Sequence, residues 1–171
     1  MLKQLLSSLT QNDVYVQLSE NRLCAINVRN GDEYHQIPLV ALEKQGSKTL
    51  IKAIGADAKT WVKQPGVAVI NPFSHPRVLV ADFQKAEKVL MHAFQALFAT
   101  SWFAVSPRVV IQPMEKLEGG LTDIEIRALR ELCLGAGARE VVVYVGPVVP
   151  WQGFRFDELK ARDVSSAPSS P

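Results

Sequence analysis

The stretch Thr122-Asp123-Ile124-Glu125-Ile126-Arg127-Ala128-Leu129-Arg130-Glu131-Leu132-Cys133-Leu134-Gly135-Ala136-Gly137-Ala138-Arg139-Glu140-Val141-Val142-Val143-Tyr144-Val145 decides the fold class. Thr122 with Glu125 three positions on is a capping box, in which each side chain satisfies a backbone N–H that the first helical turn leaves unpaired. A helix therefore starts at Thr122 and runs to about Leu134, where Gly135 and Gly137 stop it. The following run, 140–145, is almost continuously apolar and β-branched. Because it does not alternate, it has no solvent face, which is the signature of a strand buried on both sides.

The flanking sequence extends the pattern in both directions. Ser106-Pro107-Arg108 introduces a compact apolar strand over 109–112. Before it, Asp82 is placed to N-cap a long helix through Phe98, with Ala86, Val89, Leu90, Ala93, Phe94 and Leu97 at helical spacing. Helix, strand, helix, strand reads as a βαβ crossover onto a parallel pair. The first half differs. An alternating run from Val14 to Leu18 turns at Ser19-Glu20-Asn21, and a second run ends at Asn30-Gly31-Asp32, a strong turn signal. Residues 34–42 are a third strand candidate, with Pro38 restricting it to an edge or a bulge. Short β runs follow at 50–54, 67–70 and 78–80, with a short helix at 57–62. An antiparallel three-strand meander followed by helix-linked parallel strands is the order of a ribonuclease-H-like domain, two of which build an actin-like ATPase. The pattern supports α/β; by itself it does not choose this fold over several others.

Composition excludes several functions. Hydrophobic residues make up 47% and charged residues 21% of the 171, the balance of a single globular domain with a real core and no room for two large ones. The net charge of +2 comes from Lys and Arg scattered along the chain, so no nucleic-acid partner is expected. Cys24 and Cys133 sit in apolar runs without ligand spacing and read as buried free thiols of a reducing compartment. His35, His75 and His92 follow no ligand pattern, and Glu115, Glu118, Asp123 and Glu125 are explained by helix capping and the helix dipole. No metal and no cofactor are expected. No apolar run approaches the ~20 residues that span a bilayer and no secretory leader is evident, which makes a cytoplasmic location the expectation.

Four stretches carry a family resemblance. Ile54-Gly55-Ala56-Asp57-Ala58-Lys59 resembles the VG-x-DAK segment of MreB-type bacterial actin-like proteins. Val80-Ala81-Asp82-Phe83 with Glu87-Lys88-Val89-Leu90 is similar to their IADF…EKML helix start, and Ser106-Pro107-Arg108-Val109-Val110 to their PRVV strand. Residues 123–141 resemble VERRAIRESA-x-x-AGAREV at the family's own spacing. In this order the matches cover about residues 1–147. The resemblance implies a ribonuclease-H-like, actin-type ATPase domain over 13–150, with a small subdomain inserted at about 39–70. A short amphipathic segment over 1–12 would precede it, and a tail over 151–171 would follow, disordered from about Asp163 with a last helical turn or two at 154–161.

The departures from the family carry the functional expectation. Its first strand pair closes on an Asp-Leu-Gly-Thr turn that approaches the nucleotide's phosphates; here Gln17, Leu18, Ser19 and Glu20 stand there. Gln is neutral, Ser lacks the freedom of Gly, and Glu20 brings a repelling carboxylate. The family's Glu-Glu-Pro-Met turn, whose second Glu positions the attacking water, aligns with Tyr144-Val145-Gly146-Pro147, so Gly146 stands where the base should be. The expected result is a degenerate, non-hydrolysing module that binds MreB-type filaments or other cell-shape proteins. A half-molecule of that kind docks on a filament end and offers no surface to the next subunit, as a capper or modulator would. Leu2, Leu5, Leu6 and Leu9 share one helical face, which the family's habits associate with weak membrane-surface contact, although Lys3 is the only basic side chain there. The contrasting expectation is an enzyme, either a nucleotide phosphotransferase or a ribonuclease-H-like nuclease. Asp13 is the nearest acidic candidate for the nuclease, and it is read as lying just before the first strand. The remaining expectations are structural. Met114 to Gly120 reads as a flexible connection, Trp102-Phe103 as core, and Trp151, Phe154 and Phe156 as a cover for apolar surface that a second domain would otherwise bury.

Overall fold

The computed structural model describes residues 12–99 and 106–164. Its main sheet has the order β3-β2-β1-β7-β8. It is built from β1 (Asp13–Ser19), β2 (Arg22–Asn27), β3 (Glu33–Gln36), β7 (Arg108–Pro113) and β8 (Glu140–Val143). β1 pairs antiparallel with β2, and β2 with β3. β7 and β8 add in parallel on the other side of β1, with Val16 opposite Ile111 and Ile111 opposite Val143. A second, antiparallel sheet of order β5-β4-β6 is made of β4 (Val40–Gln45), β5 (Lys48–Ile54) and β6 (Val67–Ile70).

The strand period of two sorts the main sheet into two faces. Val14, Val16 and Leu18, with Val109, Ile111, Val141 and Val143, point to one side. There α1 (Phe83–Leu97) and α2 (Asp123–Gly135) bury Val89, Leu90, Phe94, Leu129 and Leu132 against them. Both N-caps form as the residues dictate. Asp82 accepts the Lys85 N–H at 3.1 Å, and Thr122 and Glu125 close a reciprocal box. Tyr15, Cys24, Ile26, Val110, Val142 and Tyr144 point to the other side. A strap from the end of the chain covers them, with Phe154, Phe156 and Leu159 buried, the last two on α3 (Phe156–Lys160).

Four local expectations are corrected. The strand expected over 34–42 is two strands in different sheets, because Pro38 has no N–H to continue the ladder. Residues 78–80 form no strand: the Val78 and Arg77 N–H groups are taken by His75 Nδ1, at 3.3 and 3.2 Å. The helix expected at 57–62 is a 3-10 helix, Gly55–Trp61. Asp163 does not begin a disordered tail. It is buried, with its carboxylate accepting from Arg130 at 2.7 Å and from the Val143 N–H at 3.2 Å on the outer edge of β8. Leu2, Leu5, Leu6, Leu9, Trp102 and Phe103 lie outside the described residues.

The turn at Gly31 shows why that residue is glycine. Its φ is +77°, a region that costs other residues, and an added Cβ would sit 2.9 Å from the Trp151 ring. Arg108 ties β7, β1 and the strap together at the same end of the sheet. It donates to both Asp13 oxygens at 2.7 and 2.8 Å and stacks its guanidinium 4.2 Å over the Phe156 ring.

Candidate functional site

The C-terminal ends of β1, β7 and β8 bring together the β1–β2 turn and the residues beyond β8. Gln17 lies on the strap side of β1 and donates to Tyr15 Oη at 3.3 Å. The Tyr15 hydroxyl donates to Gln112 Oε1 and accepts the Val149 N–H at 3.3 Å. Gln112 Nε2 in turn donates to the Gly146 carbonyl at 2.6 Å. A tyrosine, two glutamines and a backbone carbonyl thus form a neutral chain of hydrogen bonds from β1 through β7 to the segment beyond β8. None of these groups is a carboxylate or an imidazole.

Gly146 is sterically constrained as well as chemically silent. The Tyr144 hydroxyl donates to the Pro147 carbonyl at 3.1 Å, and a Cβ built on Gly146 would meet Tyr144 Oη at 2.5 Å. Tyr144 itself is buried. A carboxylate side chain at this position therefore requires a buried ring to move.

At the turn, Leu18 is fully buried and belongs to the core, while its carbonyl accepts the Met114 N–H at 2.9 Å. Ser19 Oγ donates to the Arg22 carbonyl at 3.3 Å. Glu20 is held on all sides. Its N–H donates to Glu115 Oε1 at 2.5 Å, and its carbonyl accepts from Asn71 Nδ2 at 2.6 Å. Its carboxylate accepts from Ser74 Oγ at 2.8 Å and from Lys116 Nζ at 3.2 Å. The Ser74 hydroxyl, and then the Lys116 ammonium, hold the Glu20 carboxyl below the usual carboxylate range. Lys116 also reaches the Val78 and Phe73 carbonyls at 3.4 and 3.5 Å. Its backbone adopts φ +59°, an unusual state for a residue with a side chain that costs about 1–2 kcal/mol. The segment 114–120, expected to be a flexible connection, is anchored at the turn by Glu115 and Lys116.

The protein-family model described as MreB/Mbl protein matches residues 11–153 of 171. The chain belongs to the MreB/Mbl family. Cell shape-determining protein MreB of Escherichia coli K12 is 32% identical over 141 residues, which is 80% of this chain and 39% of that protein. MreB of Pasteurella multocida is 29% identical over 152 residues, 86% of this chain and 42% of that one. The chain thus spans about two-fifths of the length of the curated relatives it matches. The ADP-bound structure of MreB5 from Spiroplasma citri superposes with a TM-score of 0.61 at 21% identity, over 80% of this chain and 38% of that one. The fold is that of the actin-like ATPases.

Residues 17–20 and Gly146 were singled out in the sequence as departures from the resembled motifs, and the structure brings both to the C-terminal ends of β1, β7 and β8. Their surroundings were not legible in the sequence. Glu115 lies 95 residues from the turn it bonds, and Ser74 lies 54 residues away. The alternation of Tyr15 and Gln17 along β1 was the only advance signal of a polar stripe on the second face. Asp13 is the first residue of β1, at the end opposite the turn, and is held in its ion pair with Arg108. Among the described residues, no three His, Cys, Asp or Glu side chains converge as a metal site would need.

Proposed function

We propose that this chain is a non-hydrolysing, MreB-like module that binds actin-like filaments or their cell-shape partners. Gly146 carries the reading. Where the family resemblance calls for a water-positioning carboxylate, the backbone carbonyl is taken by Gln112, and Tyr144 blocks the space that a side chain would need. The neutral glutamine at position 17, bonded to Tyr15, fits the same reading, because metal-bound phosphates call for a carboxylate there. Family membership supports the filament partner, and a solved structure of the same fold, MamK, is a double helical filament, at a TM-score of 0.55 and 14% identity. Weak attachment to the inner membrane surface through Leu2, Leu5, Leu6 and Leu9 belongs to the same proposal. No helix among the described residues is long and apolar enough to cross a membrane.

Co-sedimentation with assembled MreB is the direct test. The chain should pellet with filaments or shorten them, with no phosphate released by the chain alone. If it stays in the supernatant and leaves filament length unchanged, the partner is wrong. Micromolar binding of Mg-ATP by calorimetry would overturn the nucleotide half of the reading.

A further inference from the structure

Resting on the non-hydrolysing reading above, we propose that Glu115 is a built-in occupant of the anion position at the β1–β2 turn. Its carboxylate takes the Glu20 N–H that a phosphate oxygen would take, and it holds the turn in one conformation whether or not nucleotide is present. The geometry is that of an anion on a backbone donor, 2.5 Å from Oε1 to N. Lys116, the next residue, supplies the cation. It bonds Glu20 Oε2 at 3.2 Å with its side chain mostly out of solvent, and the Phe73 and Val78 carbonyls share its ammonium. Two adjacent residues thus provide an anionic acceptor for the turn's N–H and a cationic donor for its carboxylate.

Three observations point the same way. Lys116 sits at φ +59°, and this left-handed residue joins the Glu115 and Lys116 contacts into one clasp. Asn71 and Ser74 reach the same glutamate from the 71–78 loop, at 2.6 and 2.8 Å, so the clasp links three separate segments. The Glu115 carboxylate stands on the Glu20 N–H itself, so an incoming phosphate meets a like charge at the donor it would need. The occupant is covalently part of the chain and cannot leave.

The test uses the 15N-labelled full chain, with the Glu20 amide as reporter and inorganic phosphate and ADP as separate probes. In the wild type the Glu20 amide should be protected from exchange and should not move with either probe. Glu115→Ala should accelerate its exchange about tenfold, the loss of one charge-assisted bond, and phosphate should then shift it. Glu115→Gln keeps an acceptor without the charge, so it should retain most of the protection and still exclude phosphate. A response to phosphate in Glu115→Gln equal to that in Glu115→Ala would assign the exclusion to charge alone and overturn the proposal. So would a wild-type amide that moves with phosphate, unchanged exchange in Glu115→Ala, or exposure there without phosphate binding. The wild-type arm stands even where Glu115→Ala fails to fold. Micromolar Mg-ATP binding by the wild type would sink the non-hydrolysing reading as well, whereas an unresponsive Glu115→Ala with no nucleotide binding sinks the clasp alone.

Discussion

At the scale of single residues, polar side chains at the C-terminal ends of β1 and β7 satisfy one another, Tyr15 and Gln17 with Gln112, and Gln112 with the Gly146 carbonyl. Gly146 tests this most sharply. On the proposed reading, placing a carboxylate there by Gly146→Glu should not bring ATP hydrolysis. It should lower stability by about 1–3 kcal/mol, as overpacking against the buried Tyr144 ring does. Urea unfolding and phosphate release measure the two effects on one sample. Tyr34 gives an opposite expectation. Its ring is buried edge-on to His92, with centroids 5.8 Å apart, and its hydroxyl has no partner among the described residues. Burial pushes its hydroxyl up to about 12. Tyr34→Phe removes a desolvated polar group and should leave stability unchanged or raise it by up to about 1 kcal/mol. A lower urea midpoint for this variant would show that the hydroxyl is bonded.

At the scale of elements, the strap from Pro147 to α3 finishes the sheet twice. Its apolar residues cover the face carrying Tyr15, Val110 and Val142, and Asp163 accepts the Val143 N–H on the outer edge of β8. The second contact blunts an edge that would otherwise offer an unpaired donor to another chain. The family match ends at residue 153, so α3 lies beyond it. The energy of the strap is apolar. Phe156→Ala should cost about 3–5 kcal/mol, because it opens a cavity under Arg108 and along Val110. Lys160→Ala, which removes an exposed pair with Glu140, should cost well under 1 kcal/mol. Comparable thermal shifts for the two variants would show that the strap is held by charge.

At the scale of the whole molecule, the two sheets differ in how deeply they are embedded. β1 and β7 are central in a sheet packed on both faces, and Val14, Tyr15, Val16, Val109, Val110 and Ile111 are fully buried. β5 is an edge strand of the small sheet, with Leu50 and Ile51 each 41% exposed. Native-state hydrogen exchange should therefore separate them. Amides of β1 and β7 should exchange only on global unfolding, while those of β5 should exchange through local opening at least about a hundredfold faster. Equal protection across both sheets would mean that the molecule opens as one unit.

The helix starts, the parallel pair and the family were written in local sequence. Capping boxes, apolar periodicity and glycine stops act over a few residues, and a chain cannot satisfy them in another way. Gly146 and residues 17–20 were singled out for the same reason, as departures from runs that resemble the family's. What occupies the turn was decided only by tertiary structure. Glu115 reaches Glu20 across 95 residues, Tyr15 reaches Gln112 across 97, and Asp163 reaches Val143 across 20. Such pairings depend on which strands lie side by side and on which way each side chain points from the sheet. No spacing along the chain encodes them. The sequence alone singled out residues 17–20 and Gly146 as departures from the resembled motifs; the fold showed that Glu115 and Lys116 stand at the β1–β2 turn.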